Sequence, residues 1–230
     1  MSLKPSLQLV AQDSEFRKFH DLMARKVQSI LLVSTAYDAW VMEEDCKLSE
    51  RIVSEYQGLN LSRPPRLTWA SGAEEALAFL AERPFELVIL MPQLAEREAL
   101  TLGQRIKSLS LGIPVYLLTH REVFLPGESP AEGIDRQFVW TGNADLLVAL
   151  VKNTEDAMNV DFDTKSVGIR VIIMVEDSPR YQSCLLPILY RELVVQTQEV
   201  IREGLNQEHR LLTMRCRPKI LLAGSYEEAV

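Results

Sequence analysis

Two stretches of this chain repeat each other, and the repeat narrows the folds open to it. Ile30 to Thr35 reads ILLVST, and Val171 to Ser178 reads VIIMVEDS. Each is a short apolar run of the kind found where a strand is covered on both faces of its sheet. Each is followed by a long helical stretch, a second short strand and a near-copy: ASGAEEA at Ala70 to Ala76, AGSYEEA at Ala223 to Ala229. Strand, crossover and parallel strand make one α/β unit, so the chain should hold one such unit and the opening of a second. The two strand ends differ chemically. The first carries the hydroxyls of Ser34 and Thr35, the second the adjacent carboxylates of Glu176 and Asp177.

Four further apolar runs supply strands: RLTWA at Arg66 to Ala70, FELVILM at Phe85 to Met91, IPVYLLT at Ile113 to Thr119 and RQFVWTG at Arg136 to Gly142. Helical spacing over Ala36 to Tyr56, Arg97 to Leu109 and Asn143 to Met158 supplies the crossovers, with Trp40, Val41, Ile52 and Val53 as core contacts of the first. Ser71 and Asn143 are placed to cap helices, and Glu74 and Glu75 sit in a first turn, where the helix dipole favours negative charge. The segment from His120 to Asp135 holds two prolines and two glycines and should be a loop or a short distorted helix. Right-handed crossovers then give a five-stranded parallel α/β sheet of flavodoxin-like order 2-1-3-4-5. Phe16, Phe19, Leu22, Met23 and Val27 predict an extra amphipathic helix ahead of it. The expected organisation is an N-terminal extension over 1–28, a first domain over 29–158, a polar linker over 159–168 and the second unit over 169–230.

A net charge of -7 argues against nucleic acid as a partner. No run approaches the ~18 apolar residues of a membrane span, and the first residues lack the apolar core of a signal peptide, so a cytoplasmic protein is expected. The three cysteines and three histidines are scattered without metal-ligand spacing. There is no GxSxG elbow and no phosphate-cradling glycine loop, so no catalytic residue is assigned.

Through its element order, its third strand FELVILMP and its fourth strand PVYLLT, the first domain resembles the receiver domain of two-component response regulators. The resemblance implies an acidic pair holding Mg²⁺ after strand one and a phosphate-accepting aspartate ending strand three. It also implies a Ser or Thr after strand four and a lysine after strand five, the last two contacting the phosphoryl group. In this chain the acidic pair falls on Ser34 and Thr35, the nucleophile on Met91 and the lysine near Thr141, followed by Gly142. Thr119 alone matches. The resemblance therefore implies a pseudo-receiver without cofactor. Asp38, Glu43, Glu44 and Asp45 are read as a solvated helical face. In the second unit Glu176 and Asp177 occupy the position of the metal-binding pair and would hold Mg²⁺ weakly in a fuller protein, or else cap the helix that Pro179 starts.

The segments ILLVSTAYDAWVMEED, LSERIVSEYQGLNLSRPPR and RPKILLAGSYEEA are also similar to the N-terminal region of large bacterial proteins with a phosphoenolpyruvate synthase or pyruvate phosphate dikinase-like portion. A half-unit cannot bury a core alone, so either the chain is a piece of a longer protein or this unit packs on the first domain or another chain. Leu186, Leu189, Leu193 and Ile201 on the long helical region after Pro179 are the candidate interface, with a homodimer as one outcome. The expected function is a receiver-like phosphorelay signalling module, acting by contact with a sensor kinase or output domain. The alternative is a regulatory or dimerisation region of a phosphoenolpyruvate synthase-like enzyme.

Overall fold

Parallel pairing orders the first five strands 2-1-3-4-5, as the alternating pattern predicts. In a computed structural model, residues 21–45, 50, 53, 64–91, 96–109, 112–121, 132–202 and 215–230 are described. The strands are β1 (Ser29–Val33), β2 (Arg66–Ala70), β3 (Leu87–Leu90), β4 (Val115–Thr119) and β5 (Arg136–Val139). Helix α1 (Ala36–Trp40) runs into a π-helical turn, Val41–Asp45; α2 (Ala73–Glu82), α3 (Glu96–Leu109) and α4 (Ala144–Val167) follow. One sheet face carries Leu31, Val33, Val88, Leu90, Val115 and Leu117, closed by Ala76 of α2 and Ala99, Leu102 and Ile106 of α3. The other carries Ile30, Leu32, Ile89, Leu118 and Phe138 and is closed by α4 through Leu146, Leu147, Leu150 and Val151. Strands β1, β3 and β4 are buried along almost their whole length, which accounts for their unbroken apolar runs.

The second unit contains β6 (Val171–Val175), α5 (Pro179–Arg202), β7 (Lys219–Ala223) and a short α6 (Tyr226–Ala229). Its two strands form a separate parallel pair. The repeat seen in the sequence is a repeat in three dimensions. The Ser34 N–H donates to Ala70 O at 3.2 Å, and the Glu176 N–H donates to Ala223 O at 2.9 Å. The Ser71 N–H donates to Glu75 Oε2 at 2.8 Å, and the Gly224 N–H to Glu228 Oε2 at 2.6 Å.

Several local expectations are corrected. The polar stretch 159–167 is not a linker but the last turns of α4, ended by Gly168 in the left-handed conformation at φ 72°. Its polar residues face protein: Asn159 and Asp163 are buried. The chain from 24 to 28 has no regular secondary structure where an amphipathic helix was expected, yet Leu22, Met23 and Val27 are buried as the apolar pattern required. The rest of that helix, 15–20, lies outside the described residues. Gly72, not Ser71, caps α2, and the Ser71 hydroxyl bonds Glu75 instead. Asn143 does cap α4, accepting from the Asp145 N–H at 2.9 Å. Trp40 is 54% exposed, so it is not a core contact, because α1 ends there and the chain changes to a π turn. Ile52 and most of 120–135 lie outside the described residues.

Helix α4 is buried on nearly every side from Ala144 to Asp156 because it is shared between both units. Leu186, Tyr190, Ile220 and Leu222 of the second unit belong to the same apolar cluster as the first sheet. Its polar side chains also replace sheet partners. Asp156 Oδ2 accepts from the Ile220 N–H at 3.0 Å, and Asn153 Nδ2 donates to Ile220 O at 2.8 Å. Arg136 of β5 donates to Leu222 O at 2.7 Å. The outer edge of β7 is thus satisfied by side chains of the first unit. In return, Ser183 Oγ of α5 accepts from the Val139 N–H on the edge of β5 at 2.7 Å. Each unit thus supplies partners to one sheet edge of the other, β5 in the first and β7 in the second, where an open edge is a standing hazard. The N-terminal segment is bound by the same helix: the Val27, Arg25 and Met23 N–H groups donate to Glu155, Asn159 and Asp163, one helical turn apart.

Candidate functional site

The carboxyl ends of parallel strands form the natural binding edge of an open α/β sheet. Here β1 and β3 end side by side, because the Met91 N–H donates to Val33 O at 2.8 Å. Strands β4 and β5 end together through the Trp140 N–H and Thr119 O at 2.7 Å. The structure therefore brings Ser34, Met91 and Thr119 to one edge, all three buried. Thr141 follows β5 on the same end and is exposed.

The hydroxyls of Ser34 and Thr119 are engaged locally, and Met91 is uncharged. Ser34 Oγ donates to Thr35 O at 3.1 Å. Thr119 Oγ1 donates to Arg121 O at 2.7 Å, so its proton is committed to its own loop. Met91 offers a buried thioether beside β1, with neither charge nor nucleophilic oxygen. Thr35 caps α1, accepting from the Asp38 N–H at 2.9 Å and donating to Asp38 Oδ2 at 2.8 Å.

The sequence reading missed a contact at this edge. Asp38, taken there as part of a solvated face, lies 3.2 Å from His120 Nε2 through its Oδ1 and is only 12% exposed. The pair joins the first turn after β1 to the residue after β4. Its partners are far apart in sequence, and the sequence signal was slight: Asp38 falls in the first helical turn after β1 and His120 directly after β4. Glu43 is exposed as expected, while the side chains of Glu44 and Asp45 lie outside the described residues.

These donors do not fit Mg²⁺ at the first strand end: two neutral hydroxyls and a thioether replace the oxygen anions a hard cation needs, and Asp38 is already shared by Thr35 and His120. At the second strand end Glu176 turns back on its own loop, with Oε1 accepting from the Ser178 N–H at 3.0 Å, while Asp177 is exposed. Ser178 caps α5 through the Tyr181 N–H. The capping role thus falls to Ser178, with Glu176 bracing the cap. Among the described residues no group of three His, Cys, Asp or Glu side chains could hold a metal ion.

The interface candidates are redistributed. Leu186 is buried, and Leu189 and Leu193 pack against the shared core. They point inward because α5 lies on α4 and β5. The side chain of Ile201 lies outside the described residues. Among the described side chains of α5, the large apolar ones left exposed are Tyr181, Leu185, Ile188 and Val195.

No protein-family model and no curated protein matches the chain. Solved receiver structures are similar to part of it. The response regulator TrrA of Thermotoga maritima, in complex with Mg²⁺-BeF, is 20% identical over 55% of this chain and 98% of its own, with a TM-score of 0.43. The same protein in complex with the histidine kinase ThkA gives 20% identity over 55% and 97%, with a TM-score of 0.42. The chemotaxis response regulator CheY4 of Vibrio cholerae gives 12% identity over 56% and 99%, with a TM-score of 0.41. The fold assignment rests on strand order and register. The first sheet has the receiver-type topology. Among the described residues no helix is long and apolar enough to cross a membrane.

Proposed function

We propose that the chain is a receiver-like signalling module whose first unit accepts no phosphoryl group and works through protein contacts. The observation that carries this reading is the end of β3. Met91 is buried there and its N–H is bonded to Val33 O, so the residue facing the carboxyl end of β1 can neither attack phosphorus nor anchor a metal. The neighbouring hydroxyls of Ser34 and Thr119 are spent on backbone carbonyls, and the Asp38 carboxylate at this edge is paired with His120. What the fold retains is a rigid α/β body, and its partners on this reading are proteins, a sensor kinase or an output domain.

The test is a titration of the isotopically labelled chain with Mg²⁺ and beryllium fluoride, a phosphoryl mimic. The proposal expects no saturable change at the amides of Ser34, Met91 and Thr119. Saturable changes converging on those three would refute it.

A further inference from the structure

Helix α4 holds two partners side by side. Towards the N-terminal segment it offers Glu155, Asn159 and Asp163, which accept from the Val27, Arg25 and Met23 N–H groups. Those donors alternate along the chain, so side chains bind one edge of residues 23–27 as a neighbouring strand would. Towards the second unit the same helix offers Asn153 and Asp156, which hold the O and N–H of Ile220 in β7. Asp163 belongs to both sets. Its carboxylate lies 3.3 Å from the Met23 N–H nitrogen and 2.7 Å from Lys219 Nζ of β7, and both charged side chains are fully buried.

A carboxylate buried in this way is costly unless a cation and donors compensate it. Each partner of Asp163 finds the side chain already fixed by the other, so the second to dock loses less conformational freedom. Backbone strain marks the same spot. Met23 has φ 53°, the left-handed region that a side chain with a Cβ avoids, and such a conformation persists only where its surroundings enforce it. We infer that residues 21–28 form a releasable strap: docked on α4 they lock the β7 end of the second unit in place, and drawing them off loosens that junction. One contact opposes the link. Burial lowers the pKa of Lys26 in the strap, Glu155 acts against that, and Arg215 ahead of β7 adds to the lowering. Lys26 and Arg215 are only half-buried, so their repulsion is better screened than the fully buried Asp163–Lys219 contact, and the favourable link wins. The inference holds whether or not the first unit exchanges phosphoryl groups.

Asn159→Ala strikes the strap and not the second unit. Its side chain bonds the N–H and O of Arg25 and the Glu155 O of its own helix, and no described hydrogen bond joins it to β7. Amide exchange of the full chain should quicken about fivefold or more at Val27 and, through the link, at Ile220, while Ile89 in β3 keeps its parent rate. Lys219→Met removes the cation from the β7 side and should quicken Met23 and Arg25 in turn, because coupling between sites is reciprocal. Asp161→Ala breaks an exposed pair with Lys165 on the same helix and should leave Val27 and Ile220 unchanged. Three results with Asn159→Ala would overturn the inference: Val27 at its parent rate, Val27 quickened with Ile220 unmoved, or Ile89 quickened as much as Ile220, a mere loss of global stability. Equal quickening of Ile220 by Asp161→Ala would overturn it as well. If Lys219→Met does not fold, Asn159→Ala and its control decide the matter.

Discussion

Arg217 grips Asp156 with both arms of its guanidinium group, Nη1 to Oδ2 at 2.9 Å and Nη2 to Oδ1 at 2.8 Å, where the two side chains are 4% and 0% exposed. Burial works against the Arg217 charge, but the Asp156 carboxylate more than offsets it and holds the guanidinium above its ordinary value. Asp156 also accepts from the Tyr190 hydroxyl at 2.8 Å and from the Ile220 N–H. Lys219 sits 2.7 Å from Asp163, fully buried, with its pKa lowered by burial and by Arg217. One carboxylate on the shared helix therefore gathers Tyr190 from α5, the Ile220 N–H from β7 and Arg217, two residues ahead of that strand.

Removing one member of a buried pair leaves the other charge uncompensated, which costs about 3–5 kcal/mol. Asp156→Ala should therefore lose stability on that scale in denaturant unfolding, with both units released together. Glu74→Ala, which breaks an exposed pair with Arg105, should leave the midpoint unchanged within error.

Tyr190 gives a pH signature. Burial, and then the Asp156 charge, raise its pKa well above the ordinary value of 10.0. A group raised in the folded state stabilises fully below its unfolded value and loses that contribution as pH climbs towards the folded one. Stability should therefore fall above about pH 10 in the parent chain. Tyr190→Phe should be less stable at neutral pH by about 1.5–3 kcal/mol, for the lost bond to a charged acceptor, and the gap should close as pH rises. Thermal melts of both proteins across that window check this; parallel curves would contradict it.

Gly103 and Gly133 hold α3 against the segment before β5. A Cβ on Gly103 would lie 2.5 Å from Gly133 O, a backbone atom that cannot swing away. Gly133 has φ +91°, a region other residues avoid. Gly103→Ala should cost about 1–3 kcal/mol by overpacking, read as a drop in the urea midpoint with an unchanged slope.

Edge closure has its own test. Ser183→Ala leaves the buried Val139 N–H without its acceptor, a loss of about 1–3 kcal/mol. Amide exchange should quicken at Val139 more than at Phe138, whose N–H side faces β4.

The strand order was legible because β1, β3 and β4 are covered on both faces, and such strands write themselves as apolar runs. The shared role of α4 was not. Asn159 and Asp163 look like solvent-exposed residues in sequence, and their burial is explained by backbone partners at Arg25 and Met23 and, for Asp163, by the buried Lys219. The same polarity made 159–168 read as a linker. At the strand ends, Ser34, Met91 and Thr119 could be placed together from periodicity and resemblance. The Asp38–His120 pair could not, because nothing local links residues on different crossovers. For α5 the apolar positions were found but their direction was not, since Leu186 and Ile188 differ only in which neighbour the helix meets.

The central claim, that the first unit is a receiver-type body without phosphoryl chemistry, is tested most directly by intact mass after incubation with acetyl phosphate and Mg²⁺. The account predicts that the chain keeps its mass, with Met91→Asp behaving as the parent because Ser34 and Thr35 still supply no metal ligands. An acid-stable or acid-labile phosphoryl adduct mapped to residues 29–158 of the parent chain would contradict it.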